Sequence, residues 1–97
     1  MRLHIYSVFD TASGTFQRPI FAISDGQMIR SFVDISVAAD HPVGQHPEDY
    51  ALYKIGEFDD ENGVIKPVDR VVLITGIEAV ARARSLSDDT PELEVVN

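Results

Sequence analysis

Ninety-seven residues, 44% of them apolar, suit one compact domain that can build a core without covalent staples. Sixteen acids against eight Lys and Arg give a formal charge of −8, and there is no cysteine. This excludes disulfides, thiolate metal sites and cysteine nucleophiles, and it suits a reducing cytoplasm. No apolar run reaches bilayer-spanning length, and Met1-Arg2-Leu3-His4-Ile5 lacks the apolar segment of a signal peptide, so a soluble intracellular product with no membrane partner is expected.

In chain order, residues 2–10 alternate and are rich in strand formers, which predicts a first strand. Thr11-Ala12-Ser13-Gly14 has turn composition, with Gly14 able to take a positive φ. A second strand follows over 15–23, where Pro19 cannot donate to a ladder and so belongs at an edge or bulge. Ser24 and Gln27 have capping-box spacing, and Ile23 and Met28 occupy the staple positions. The helix they open carries Ile29, Phe32, Val33 and Val37 as its buried stripe and should end near Ala38 or Ala39. Residues 40–49 read as a loop.

A strand over 50–58 leads into the acidic turn 59–63 and a further strand over 64–74, with a bulge expected at Pro67. Thr75 and Glu78 repeat the capping-box spacing, predicting a helix over 76–86 with Ile77, Val80 and Ala81 inward. Asp88, Asp89, Glu92 and Glu94 then crowd the last eleven residues, which hold no Lys or Arg. The expectation is a single domain over 1–86 and a flexible acidic tail over 87–97.

At an offset of 49, Leu3 falls on Leu52, Phe9 on Phe58, Asp10 on Asp59 and Gly14 on Gly63. Each half then reads strand, turn, strand, capped helix. Four identities do not distinguish duplication from two similar hairpins, but the architecture follows either way. Two ββα units bury their apolar surfaces by forming an α+β fold, a four-stranded mostly antiparallel sheet with two helices on one face. The other face stays open.

His46-Pro47-Glu48-Asp49-Tyr50 and Gly56-Glu57-Phe58-Asp59-Asp60, with Asp25-Gly26 and Ile29-Arg30-Ser31-Phe32 upstream, carry a family likeness. On these motifs the chain resembles, over roughly residues 1–75, the small nonstructural protein of gokushovirus-type microviruses, which are single-stranded DNA phages. The resemblance implies a phage protein in the host cytoplasm, a nonenzymatic accessory of viral DNA replication. Binding single-stranded DNA, or promoting the switch to single-stranded genome synthesis, is the role it implies.

Alternation places Arg2, His4 and Tyr6 on one side of the first strand, Phe16 and Arg18 on one side of the second, and Tyr53, Lys66 and Arg70 on the later pair. If those sides coincide, they form an aromatic and cationic platform on which unpaired bases stack. The candidate contacts are Tyr6, Phe16, Arg18, Tyr53, Lys54 and Arg70. The same aromatics equally suit a core or a dimer interface. Against DNA stands the charge: the body without its tail still carries 12 acids to 8 cations, where nucleic-acid binders present a basic stripe. The alternative is therefore an acidic interaction module that engages a viral replication or assembly protein, or a host factor, without touching DNA.

No catalytic residue, metal ligand or cofactor is assigned. His41 and His46 beside Asp40, Glu48 and Asp49 match no zinc spacing, and an EF-hand loop counted from Asp59 meets Val64 and Arg70 where it needs Gly and an acid. Phosphate loops and nucleophile elbows are missing as well. A short sheet with an uncovered face and free edges predicts a homodimer.

Overall fold

The computed structural model describes the backbone of residues 1–95 and the side chains of residues 1–86. Its first half comprises β1 (Arg2–Asp10), β2 (Thr15–Phe16), β3 (Ile20–Ala22) and α1 (Asp25–Ile35). A short helix α2 (Pro42–Gln45) and a 3-10 turn (Pro47–Asp49) lead to β4 (Tyr50–Asp59), β5 (Val64–Thr75) and α3 (Gly76–Val95). All strand pairings are antiparallel, in the order β2-β1-β4-β5, with β3 also on β1. The fold is α+β, and the expected four strands become five because the second breaks at residues 17–19, around Pro19. Ser7 stitches this break, its Oγ donating to the Gln17 carbonyl at 2.6 Å, while the Gln17 N–H donates to the Val8 carbonyl at 2.8 Å.

The two turns are built alike. Gly14 and Gly63 have φ of 72° and 73°, a left-handed conformation that costs glycine little. Each glycine N–H donates to the aspartate carbonyl four residues back at 2.8 Å. The carboxylates of Asp10 and Asp59 each accept an N–H from two residues on, at 2.9 Å. Both helix caps form as well. Ser24 Oγ accepts from Gln27 N–H at 3.2 Å and Gln27 Oε1 accepts from Ile23 N–H at 3.1 Å. Thr75 Oγ1 accepts from Glu78 N–H at 3.1 Å and Glu78 Oε1 accepts from Thr75 N–H at 2.9 Å, which holds the Glu78 carboxyl below its ordinary value.

Tyr6 and Val8 of β1, Leu52 of β4 and Ile74 of β5 meet Met28, Phe32 and Val33 of α1 and Ala79 of α3 in one core, so both helices cover the same sheet face. Several expected positions shift. Ile23 stays 58% exposed while Met28 is buried, so the staple does not close, and Val37 is exposed because α1 ends earlier, at Ile35. Buried Ser36 ends the helix, its Oγ donating to the Val33 carbonyl at 2.6 Å.

On α3 the inward residues are Ala79 and, beside it, Ala83, rather than Ile77 and Ala81, which are exposed, while Val80 is half-buried. The phase is set at Gly76, where a Cβ would collide with the Pro47 carbonyl, and the two alanines then let the helix approach closely. The helix also continues to Val95, through most of the stretch 87–97 expected to be a tail. The expectation for residues 96 and 97 lies outside the described residues.

The stretch 40–49 is more ordered than expected. His41 caps α2, its Nδ1 accepting from Val43 N–H at 3.1 Å, and Val43 is buried in the core.

Candidate functional site

The hairpin register determines what shares the open face. Four turn residues separate Asp10 from Thr15, so those two pair and Phe9 pairs with Phe16. Odd-numbered residues of β1 therefore stand with Phe16, and even-numbered ones turn toward the helices. Across the open face lies one residue from each of four strands: Phe16 of β2, Phe9 of β1, Tyr53 of β4 and Arg70 of β5. Their rings touch at centroid separations of 4.9 Å (Phe9–Phe16), 5.3 Å (Phe16–Tyr53) and 6.2 Å (Phe9–Tyr53), tilted or edge to face. The Arg70 guanidinium sits 5.7 Å from the Phe16 centroid, in cation–π range.

Arg70 reaches this position because of a bulge. Lys54 pairs with Val71 and Gly56 with Pro67, which leaves residues 68–70 opposite Ile55 alone. Arg70 forms no ion pair among the described residues and is exposed, whereas the rings are half-buried against one another. Together they line a shallow depression of about 230 Å³.

Farther along the same face, Phe21 stacks edge to face on Phe58 at 5.8 Å, beside Ile5, Ile55, Ile65 and Pro67. Phe21 is 48% and Ile65 61% exposed. The opposite side of this hairpin is polar, with Arg2 3.7 Å from Glu57 and Lys66 paired across from Glu57. The hairpin is thus amphipathic, with its apolar side turned to solvent.

Of the six sequence candidates, Phe16, Tyr53 and Arg70 come together. Tyr6 does not: it is fully buried on the helix-covered face, and its hydroxyl donates to Asp25 at 2.5 Å. Burial first, and then the hydrogen bond to Asp25, push the Tyr6 hydroxyl far above its ordinary value, while the same bond and Lys54 hold the Asp25 carboxyl below its own. Lys54 is on that face too, 3.5 Å from Asp25 with a side chain only 20% exposed. Arg18 lies in the break between β2 and β3 and lines a separate cleft behind it. Phe9 was missed, although pairing residues across a four-residue turn gives it directly.

His46, Glu48 and Asp49 offer ligand atoms within 4.8 Å of one another, with His46 and Glu48 exposed. His41 is apart from them, committed to its cap. Among the described residues no helix is long and apolar enough to cross a membrane.

A family model described as Phage ORF5 protein matches residues 3–80. No curated protein and no solved structure matches the chain.

Proposed function

The chain belongs to the phage ORF5 protein family, and we propose that it acts as a nonenzymatic accessory of viral DNA replication, of the gokushovirus type, by binding single-stranded DNA on its open sheet face. The row Phe16, Phe9, Tyr53 and Arg70 carries this reading. Unpaired bases have free π-faces to lay against these rings, and duplex bases do not, so the surface discriminates by strandedness. Arg70 supplies a phosphate contact without first breaking an ion pair. With so few cations on the face, binding should be weak and modest in its salt dependence. Occupying single strands in this way would favour synthesis of single-stranded genomes for packaging.

Fluorescence anisotropy with a labelled single-stranded oligonucleotide, at low and physiological salt beside a duplex control, tests the reading. Binding that prefers the single strand and weakens in Phe16→Ala is the expected result. No binding at low salt would sink it. The acidic stretch 87–97 should compete with DNA, so deleting it should tighten binding, and unchanged affinity would remove it from the mechanism.

A second reading has its own support in the exposed apolar patch formed by Ile65 of the β4–β5 hairpin and Phe21 of β3, on an acidic chain. There the occupant is a viral replication protein, a host factor or a second copy, as in the expected homodimer. Sedimentation at micromolar concentration distinguishes the dimer, since a mass equal to one chain would count against it.

A further inference from the structure

Behind the break in the second strand lies a cleft of about 450 Å³, on the side of the sheet away from the aromatic row. That volume falls within the roughly 300–1,000 Å³ typical of small-ligand sites. Its walls are apolar: Pro19 and Ile20 on one side, Ile35 at the end of α1, and Pro42 and Val43 on the other. The polar side chains at its margin are four, Gln17, Arg18, His41 and Tyr50, and each keeps a donor or acceptor unspent. Arg18 has no ion pair or hydrogen bond among the described residues, in a chain where acids outnumber Lys and Arg two to one. His41 spends Nδ1 on the Val43 N–H, which leaves Nε2 as its free nitrogen. The Tyr50 hydroxyl and the Gln17 side-chain amide also make no hydrogen bond among the described residues.

We propose that this cleft binds a single nucleotide, with the phosphate on Arg18 and the base between the proline and aliphatic walls. The charge pattern sets the orientation. Asp10 pairs with Tyr50 across β1 and β4, and Asp49 precedes Tyr50 in the chain, so two carboxylates stand at that end and make it unfavourable for an anion. Arg18 at the other margin is the cation. Gln17, His41 and Tyr50 supply donors and acceptors for a base edge, which the hydrocarbon chain of an aliphatic anion cannot use. The site is separate from the open face and does not require DNA to bind there.

Amide-resolved NMR titration of the full chain with thymidine 5′-monophosphate tests this, with thymidine, inorganic phosphate and octanoate as comparison ligands. Saturable shifts at Arg18, Ile20, Ile35, Val43 and Tyr50 are expected. Arg18→Gln should weaken the nucleotide about tenfold, the loss of one charge-assisted contact, and leave thymidine unaffected. Octanoate binding as tightly as the nucleotide would overturn the assignment of the ligand, and unchanged nucleotide affinity in Arg18→Gln would overturn its orientation. Shifts confined to Phe9, Phe16 and Tyr53 would return the nucleotide to the open face and refute the cleft site. Oligonucleotide binding without cleft shifts defeats this proposal alone, whereas cleft shifts without oligonucleotide binding defeat only the open-face reading.

Discussion

Tyr6 and Phe9 stand three residues apart on one strand, yet each belongs to a different chemistry. Tyr6 has no exposed surface; helices cover it, and its hydroxyl is fixed by Asp25. Phe9 lies on the uncovered side, half-buried against Phe16 and Tyr53, where those rings and Arg70 line a shallow depression. One sheet face thus uses its aromatic residue to hold α1 in place, and the other leaves its aromatics available. What separates them is the parity of position, because alternate side chains of a strand point to opposite faces.

This contrast breaks most severely at the covered face. Phe32→Ala should cost about 3–5 kcal/mol by chemical denaturation, because its side chain is fully buried and the surrounding core cannot fully collapse. Gly76→Ala should cost about 1–3 kcal/mol, since the new Cβ meets the Pro47 backbone rather than a movable side chain. An unchanged denaturation midpoint for Gly76→Ala would mean that α3 is not held against the 3-10 turn.

Tyr6→Phe should cost ~1–2 kcal/mol, the loss of one hydrogen bond to a charged acceptor, and it should also change the pH profile. Folding lowers the Asp25 carboxyl below its ordinary value of 3.8, so its contribution is present above that value and disappears as pH falls through the folded one. Tyr6 is shifted the other way, so its contribution holds below 10 and fades only in strong alkali. Stability near neutrality should therefore be flat in these two groups, with an acid decline that Asp25→Asn reduces. An acid limb of the same depth in Asp25→Asn would assign the decline to other carboxylates.

Phe16→Ala sharpens the comparison from the open side. Its cost in stability should be the smallest, about 1 kcal/mol, while affinity for a single-stranded oligonucleotide should fall on the order of tenfold. A variant with the reverse pattern, destabilised but still binding, would make Phe16 a packing residue and remove the distinction between the faces.

Local chemistry was legible from the residues alone. The capping boxes at Ser24 and Thr75 and the glycine turns at Gly14 and Gly63 formed as expected, because each is closed by groups within four residues of one another. The site was legible only in part. Residue type and alternation bring Phe16, Tyr53 and Arg70 to one face, but they place Tyr6 there too, because both sides of β1 carry apolar residues, Tyr6 and Val8 on one and Ile5 and Phe9 on the other. Lys54 followed the same error. The length of the first turn contained the correction, since it pairs Phe9 with Phe16.

The sequence by itself determined where the two hairpins turn and where α1 and α3 begin, since turns and caps are short-range and each residue type has few alternatives there. Tertiary structure alone decided which face α1 and α3 cover, the inward phase of α3 set by Gly76 against Pro47, and the placing of Arg70 over Phe16, while the bulge beside Pro67 was already expected from the proline. These depend on contacts between residues far apart in the chain. Local alternation is equally satisfied by either choice, and only the packing of helix against sheet distinguishes them.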